Sequence, residues 1–543
     1  MRDRCLAIFL LGLQGCSAPA ELPDGFEVET DISCDQPASS WEGKLQEAHP
    51  PPWAPLEFGL REPAQCPAVP GGVVAHDLDG DRDVDLLFRG DDAPVLLRNS
   101  GDSLDQVPGP PQPPFGPALA YAAADLDGDG LSDLLAVGQG FVAVASNLGA
   151  MSFADWAPIL VQDEYPQTCF QTLAIGDADG DGLLDLVLPG LESLPDEAAV
   201  SAIATPLPGS PVRLLHGDGA GGFGAPVALP GSPGAESLLS MLAVFTDRDG
   251  DGDQDLLVGS DRADLGYPAS RFYRNDGGAF SDDAQTVGAA LRISAMGLAT
   301  ADLNGDGVLD YCMSDVGSTL PCLVSRDGVW LRGGLSLGLE LTVPDGIELD
   351  PYDWSTWSLE LEDLDNDGNP ELAAAAGPPP DEGSVLFTQL PFDQPDALFE
   401  GTEEGFRDLS AQVGFDDPRP HYGLATADFF GDGAPDIVLG AWNGPPVFWE
   451  NQCNDRAWVE VELVGPPGNR EGFGARVEAG TGERRWTREV QALRAVGQGP
   501  SSVHLGLDDA DVVHLRVTWP DGTQQLARDL PVRSRILVTH PDA

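Results

Sequence analysis

The feature that most constrains this chain is an aspartate-rich phrase of nine residues that occurs seven times. Clear copies are Asp125-Leu-Asp-Gly-Asp-Gly-Leu-Ser-Asp133 and Asp177-Ala-Asp-Gly-Asp-Gly-Leu-Leu-Asp185. The copies begin at residues 77, 125, 177, 247, 302, 363 and 428, so consecutive starts lie 48 to 70 residues apart. Short apolar runs flank each copy, and such runs beside glycine and proline indicate strands rather than helices. Each repeat is therefore expected to contain a few short strands around one acidic turn.

A single unit of this kind leaves strand edges and an apolar face exposed, so it needs neighbours to be stable. Radial repetition covers both, and a period near fifty residues with about four strands per repeat is typical of a β-propeller blade. The pattern predicts an all-β fold, with a seven-bladed β-propeller over residues 56–453. A linear β-solenoid is the alternative, although its period would be shorter and more regular.

The composition changes after Asn451, where the acidic phrase stops and arginines accumulate. Val459, Val461 and Leu463 alternate with glutamates, and a similar alternation runs from residue 513 to residue 519. A period of two indicates strands that bury one face. Residues 454–543 are therefore predicted to form a separate small β domain.

The spacing of oxygen atoms in the phrase predicts a metal site. Side chains at positions 1, 3 and 5 of such a turn point inwards, position 7 adds a backbone carbonyl, and position 9 completes the shell, as in the first part of an EF-hand loop. Glycine occupies position 6 in six copies, and Arg82 is the exception. Four carboxylates about 5 Å apart repel by roughly 3 kcal/mol per pair at an effective dielectric of 20, so a compact loop needs a cation. Oxygen ligands in a flexible loop favour Ca²⁺ over Mg²⁺.

We name the seven copies acidic loops 1 to 7 in chain order. Their predicted ligands are Asp77, Asp79, Asp81, Asp83 and Asp85; Asp125, Asp127, Asp129, Leu131 and Asp133; Asp177, Asp179, Asp181, Leu183 and Asp185; Asp247, Asp249, Asp251, Asp253 and Asp255; Asp302, Asn304, Asp306, Val308 and Asp310; Asp363, Asp365, Asp367, Asn369 and Glu371; and Asp428, Asp432 and Asp436. Phe430 replaces the ligand at position 3 of loop 7, so calcium binding there stays open. About five to seven Ca²⁺ ions are expected in all.

The beginning of the sequence predicts export. Two arginines precede an apolar run at residues 5–13 that is too short to span a bilayer, as in a signal peptide. Leu13-Gln-Gly-Cys16 resembles the lipobox of bacterial lipoproteins. The resemblance implies a signal peptide over residues 1–15, lipidation of Cys16 and an anchor in the bacterial outer membrane or at the cell surface. An ordinary secretory signal cleaved near residues 18–20 is the alternative.

The segment that follows, residues 16–55, is rich in proline and acidic residues, and we expect it to act as a tether. Six cysteines remain after this point, and in an exported chain they predict disulfides. Cys312 with Cys322 is the favoured pair, because a short excursion separates two predicted strands, and Cys34 with Cys66 would fix the tether to the first blade. Fifteen pairings are possible for six cysteines, and unpaired buried thiols are the alternative.

The charge excludes some partners. The chain has 89 acidic and 28 basic residues, a formal net charge of −61. Nucleic acids and anionic membrane surfaces are bound through clustered lysine and arginine, so neither is an expected partner. Membrane attachment is expected through the lipid anchor only. Disorder does not explain the acidity, because 42% of the residues are hydrophobic and the acids recur in regular clusters.

The phrases over residues 70–450 resemble the FG-GAP/VCBS repeats of integrin-type propellers. The tail is similar to the ASPIC/UnbV domain at three motifs, Asn469-Arg-Glu-Gly-Phe-Gly-Ala-Arg-Val477, His504-Leu-Gly-Leu507 and Trp519-Pro-Asp-Gly522. Together they resemble bacterial lipoproteins related to cartilage acidic protein. The resemblance implies metal loops on one face that brace neighbouring strands, with ligands bound elsewhere on the propeller. It leaves the role of the tail open.

Two classes of function fit these features. The first is a calcium-stabilised extracytoplasmic binding, adhesion or scaffold protein that recognises an unidentified protein or glycan. The alternative is a calcium-dependent carbohydrate-active enzyme, a lyase or hydrolase built on the propeller. No catalytic residues are predicted, because neither His-Glu-x-x-His nor Gly-x-Ser-x-Gly occurs. A calcium-bearing quinone dehydrogenase is a third hypothesis without a recognisable cofactor pocket. Trp354, Trp357 and Trp442 are the aromatic candidates for a channel site, whereas His76 and His421 are expected to be structural.

Overall fold

In a computed structural model of the chain, each acidic phrase forms the turn between two buried antiparallel strands. The last residue of the phrase pairs with the residue that precedes its first, as Asp133 does with Ala124 and Asp255 with Thr246. The structure describes residues 22–30, 32, 34, 37–38, 40–41, 44–48, 66, 72–90, 93–101, 103–161, 168–192, 209–231, 238–263, 266–343, 347, 354–378, 393–441, 444–482, 484–492 and 497–543.

Seven sheets follow one another along the chain, and each contains four antiparallel strands. Blade by blade, the strands are Val73–His76, Asp85–Phe88, Val95–Asn99 and Leu104–Val107; Ala118–Ala124, Asp133–Gly138, Phe141–Ala145 and Ala157–Leu160; Ala174–Gly176, Asp185–Leu188, Arg213–Leu215 and Val227–Ala228; Leu242–Thr246, Asp255–Gly259, Arg271–Arg274 and Ser281–Asp282; Leu298–Ala301, Asp310–Met313, Cys322–Arg326 and Val329–Arg332; Thr356–Glu362, Glu371–Ala376, Ala397–Thr402 and Gly405–Asp408; and His421–Ala427, Asp436–Ala441 and Val447–Asn451 with Leu45–Glu47. The predicted seven-bladed propeller is confirmed.

Smaller elements lie between and beside the blades. Thr168–Cys169 pairs with Leu191–Glu192 as a two-stranded ribbon. The helical elements in the described part of the chain are Ala284–Val287, Ser410–Val413 and the 3-10 turn Leu335–Leu337. None of the helices formed by the described residues is long and apolar enough to cross a membrane.

The ring is closed by the two ends of the propeller segment. Leu45–Glu47 is the outer strand of blade 7, where it pairs with Val447–Asn451. The Cys34–Cys453 disulfide fixes the same end covalently. The first strands of neighbouring blades lie against one another, as in blades 6, 7 and 1, and therefore form the inner wall of the ring.

The structure corrects the tether predicted over residues 16–55. Besides Leu45–Glu47, the strand Phe26–Glu29 belongs to a sheet, where it pairs with Ser534–Thr539 of the C-terminal domain. These strands have only three and four residues, so even the alternation of Phe26 and Val28 with glutamates is too short to serve as a periodic signal. They form because long neighbouring strands offer them an edge. The predicted signal peptide and Cys16 lie outside the described residues.

The C-terminal domain consists of two four-stranded sheets. Their strands are Phe26–Glu29, Ser534–Thr539, Ala457–Val464 and Val503–Asp508 in one sheet, and Arg484–Glu489, Arg476–Thr481, Val512–Thr518 and Gln524–Pro531 in the other. The apolar residues of the predicted alternation are buried, and both sheets contribute to one core. A further short strand, Gly497–Gln498, leaves this domain and pairs with blade 1.

Three disulfides join the six cysteines. The Cys312–Cys322 pair is confirmed, because its two cysteines face each other on adjacent strands of blade 5. The suggested Cys34–Cys66 pair is wrong. Cys34 binds Cys453 because the N-terminal segment continues into blade 7, and Cys66 binds Cys169 in the two-stranded ribbon.

Acidic loops and the domain that covers them

Hydrogen bonds within each acidic loop fold it into a tight turn. In loop 2, Asp125 Oδ1 accepts a hydrogen bond from the Gly128 amide at 2.8 Å, and Oδ2 accepts one from the Gly130 amide at 2.8 Å. Gly128 and Gly130 adopt φ angles of 76° and 90°, which favour glycine over any residue with a side chain. Position 1 therefore holds the turn together, and position 6 permits its sharp bend.

The carboxylate at position 9 ties the turn to the third strand of its blade. Asp133 accepts hydrogen bonds from the amides of Leu126 and Asn147. The corresponding third-strand amides in blades 1 to 7 belong to Asn99, Asn147, Gly217, Asn275, Ser325, Gly401 and Asn451. Each acidic loop therefore joins three strands of one blade.

An asparagine at this same place links neighbouring blades, which the sequence analysis missed. The Asn147 side-chain amide donates to the Leu78 carbonyl in blade 1 at 2.8 Å and to the Ser132 carbonyl in its own loop at 2.9 Å. Equivalent interblade bonds run from Asn275 to Ala178, from Asn451 to Leu364 and, across the ring closure, from Asn99 to Phe429. The missed signal is an Asn-x-Gly step after the third apolar run in blades 1, 2 and 4.

The structure brings together the predicted side-chain ligands of several loops. Three aspartates in each of loops 1 to 4 place carboxylate oxygens within 4.8 Å of one another: Asp77, Asp79 and Asp85; Asp125, Asp127 and Asp129; Asp177, Asp179 and Asp181; and Asp247, Asp249 and Asp251. At position 7, Leu131, Leu183 and Val308 offer only backbone oxygen, and their amides donate to the position-5 carboxylates.

The acids at position 9 are buried in a way that favours a bound cation. Burial raises the pKa of Asp85 and Asp255 to about 8 and that of Asp133 and Asp310 to about 7, although backbone donors lower these values. Desolvation penalises a carboxylate whose negative charge is not compensated. Asp79 Oδ1 is also buried without a hydrogen-bond partner. A set of oxygen donors with this charge fits a hard divalent cation.

Arginines lie beside carboxylates of loops 4, 6 and 7, and loop 7 also lacks one ligand. In loop 4, Arg248 Nε lies 3.1 Å from Asp255 and Arg274 Nε lies 3.4 Å from Asp249. In loop 7, Phe430 packs against Phe448 with a ring-centroid distance of 5.7 Å instead of offering a ligand. Loop 4 therefore receives positive charge from two arginines, and loop 7 lacks the ligand at position 3.

The C-terminal domain covers the face of the ring that carries the acidic loops. Glu471 accepts a hydrogen bond from the Asp125 amide at 2.6 Å, and Glu489 accepts one from the Asp247 amide at 2.9 Å. Contacts to loop 6 come from Asn454, Arg456, Arg484, Trp486 and His504. Loops predicted as metal sites are therefore also docking sites for this domain.

Residues of the same domain enter the centre of the ring. Gly497–Gln498 pairs in parallel with Val73 and Val74 of blade 1, and the Gln498 side chain bonds both the amide and the carbonyl of Ala123 in blade 2. Gln491 accepts a hydrogen bond from Thr300 of blade 5 at 2.9 Å. The domain and the propeller thus share buried hydrogen bonds at the inner wall.

The aromatic and histidine candidates that lie among the described residues have structural roles. Trp354 and Trp357 are buried and donate to the carbonyls of Pro395 and Gly377. His421 contacts Asp396 at 2.6 Å, with both side chains fully buried, and His76 contacts Ser132 at 2.9 Å. Trp442 lies outside the described residues.

Comparisons with known proteins match the two parts separately. A model of the FG-GAP-like repeat matches residues 77–136, 125–188 and 247–313, and a model described as ASPIC and UnbV matches residues 465–543. Cartilage acidic protein 1 of Homo sapiens and of Mus musculus is each 51% identical to this chain over 53 residues. That match covers 9% of this chain and 8% of each relative.

Two solved structures match parts of this chain at low similarity. An Agrocybe aegerita lectin, studied for specific recognition of non-reducing terminal N-acetylglucosamine, is 16% identical, with a TM-score of 0.38 over 64% of this chain and 83% of the lectin. The Dos1 propeller is 10% identical, with a TM-score of 0.37 over 68% of this chain and 76% of that one. On its repeats, its fold and its tail, the chain is a β-propeller of FG-GAP-like repeats with a C-terminal ASPIC/UnbV domain.

Proposed function

We propose that this chain is a calcium-stabilised extracellular binding or scaffold protein whose acidic loops are structural metal sites. Its combination of domains is that of an extracellular adhesion-type or scaffold protein. Its three disulfides fit an oxidising compartment. The partner is a protein or glycan, and attachment to the membrane is through lipid on Cys16.

The observation that carries the proposal is the buried position-9 carboxylate. Asp85 and Asp133 each accept hydrogen bonds from one amide of their own loop and from one amide at the end of the third strand, and burial raises the pKa of both. When bound, Ca²⁺ supplies positive charge that keeps these acids ionised while the strands stay together. Positions 1, 3, 5 and 9 would hold it through side chains, and position 7 through its carbonyl.

This role explains why the loops lie under the C-terminal domain. Glu471 and Glu489 bond the first amide of loops 2 and 4, so the shape of each loop determines where the domain can dock. A cation that fixes the loops would also fix the domain on the ring. The faces left for a partner are then the outer edges of the blades and the side opposite the acidic loops.

The carbohydrate-active enzyme remains a weaker alternative, since no observation favours it. Trp354 and Trp357 are occupied in packing, and Gln491 and Gln498 of the C-terminal domain are hydrogen-bonded to the first strands of blades 5 and 2.

Equilibrium dialysis of the purified chain against radioactive Ca²⁺ tests the proposal, because it counts the bound ions. We expect about five to seven ions per chain, and Asp133→Asn should lower that number by one. Asp511→Asn, at an exposed position of the C-terminal domain, is the matched control and should leave the number unchanged. A chain that binds no calcium at millimolar concentration would refute the proposed role of the loops.

A further inference from the structure

His216 gives loop 3 a ligand type that the other loops lack. The residue stands opposite the position-9 acid Asp185, one place after the strand Arg213–Leu215. The residues at this place in blades 1, 2 and 4 to 7 are Arg98, Ser146, Arg274, Val324, Glu400 and Glu450. Only His216 brings a neutral nitrogen ligand to this place.

The neighbouring blade shows that a side chain at this place reaches the loop. Arg274 of blade 4 lies 3.4 Å from Asp249 and 3.4 Å from Asp251. A guanidinium has no lone pair to offer a metal, so Arg274 competes with a cation. An imidazole at the same place can ligate one instead.

The geometry of loop 3 is already close to that of a site. His216 Nδ1 lies 3.2 Å from Asp179 Oδ2 and 3.3 Å from Asp185 Oδ2, and the three ligand atoms lie within 4.8 Å of one another. Asp185 is buried and held by the amides of Ala178 and Gly217 at 2.9 and 2.8 Å. One carboxylate is therefore fixed, while the imidazole, with 40% of its side chain exposed, can adjust to an ion.

Ligand chemistry distinguishes this set from the other loops. Ca²⁺ and Mg²⁺ take oxygen ligands, whereas imidazole suits Zn²⁺ and other late first-row ions, with carboxylates as frequent co-ligands. We propose that Asp179, Asp185 and His216 form a mixed nitrogen–oxygen site that binds a divalent transition metal such as Zn²⁺ or Co²⁺ in preference to Ca²⁺. This inference rests on the proposed function in its premise that cations occupy the acidic loops, but it assigns Asp179 and Asp185, two of the predicted calcium ligands of loop 3, to a different ion.

Co²⁺ is the probe, because its visible absorption responds to the geometry and the ligands of the site that binds it, and the His216 variants then test the imidazole. Titration of the full chain with Co²⁺ in saturating Ca²⁺ should show one site, and Zn²⁺ should abolish the absorption. His216→Asn should weaken Co²⁺ binding at least tenfold, as should His216→Gln. Both should keep the unfolding midpoint in Ca²⁺, because the side chain is half-exposed. His514→Asn, which changes an exposed histidine of the C-terminal domain, is the control and should bind Co²⁺ like the parent.

Two results would overturn the site: no Co²⁺ bound in the presence of Ca²⁺, or equal Co²⁺ affinity in the parent and both His216 variants. Neither result touches the calcium proposal, whose readout is Ca²⁺ stoichiometry. Conversely, a chain that binds Co²⁺ through His216 but takes up no Ca²⁺ would support this site and refute the proposed function.

Discussion

The guanidinium of Arg535 lies 3.5 Å from the Asp428 carboxylate of loop 7 and 2.9 Å from the Glu460 carboxylate. Arg535 belongs to the C-terminal domain, whereas Asp428 opens the one acidic loop whose third position is a phenylalanine. The arginine thus supplies positive charge where a metal ligand is missing. Loop 7 is therefore a contact between the two domains in which Arg535 supplies the positive charge.

Replacing this arginine should loosen the domain. Arg535→Gln leaves the buried Asp428 carboxylate without its charged partner, so we expect a loss of about 1–3 kcal/mol in the free energy of unfolding, measured with urea in Ca²⁺. Arg516→Gln breaks an exposed pair with Glu478 and should cost less than about 1 kcal/mol. Equal losses in the two variants would show that Arg535 is an ordinary surface residue.

Glu489 should make stability depend on pH. Burial raises its pKa to about 7, above the ordinary value of 4.5, so the folded chain holds a proton that the unfolded chain releases between those values. The stability contributed by this group is therefore complete below pH 4.5 and is lost as the pH rises through 7. Glu489→Gln removes the titration, and relative to the parent it should gain about 1–3 kcal/mol between pH 5 and pH 8.

A neutral amide should be tolerated there, because Gln254 already makes the equivalent bond to the Asp177 amide at 2.7 Å. Urea unfolding of both proteins at the two pH values, in fixed Ca²⁺, gives the comparison. Parallel pH profiles would contradict the assignment.

The interblade hydrogen bonds of the asparagine side chains should contribute measurably to the free energy of unfolding. Asn147→Ala leaves the carbonyls of Leu78 and Ser132 without their donor in a buried place, so we expect a loss of about 2–3 kcal/mol in unfolding free energy. Leu148→Ala, at the exposed neighbouring position, should change it by less than about 0.5 kcal/mol. If chemical denaturation separates the two variants by less than that, the interblade bond has no energetic importance.

Closure of the ring should depend on the long-range disulfide. Cys34 and Cys453 are 419 residues apart, whereas Cys312 and Cys322 are 10 apart. Because loop-closure entropy grows with length, replacing the first pair by serines should lower the unfolding midpoint more than replacing the second. The opposite order would mean that the N-terminal strand does not close the ring.

Much of this fold could be predicted from the sequence, because the acidic phrase repeats and the spacing of its acids indicates a tight turn between two strands. Seven copies fixed the number of blades, and the alternation around Val459 indicated the C-terminal strands. The Asn-x-Gly step is also visible in the sequence, since three blades share it. The interblade bond could not be predicted from it, because the carbonyl that the asparagine binds lies in another blade.

Other features could not be predicted from the local sequence pattern. Phe26–Glu29 and Leu45–Glu47 are stabilised by strands more than 400 residues away, and they are too short for a period to identify them. The partner of Cys34 depends on that same pairing. The docking of Glu471 and Glu489 on the acidic loops depends on shape across two domains, which no sequence spacing records.

The most direct test of the central claim is thermal unfolding of the purified chain in Ca²⁺, in Mg²⁺ and in a chelator. If each site binds with a dissociation constant 100-fold below the Ca²⁺ concentration, it adds about 2.7 kcal/mol, so several sites together should raise the midpoint strongly. We expect a large rise that is specific to Ca²⁺. An equal midpoint in all three conditions would contradict the claim that the acidic loops are structural calcium sites.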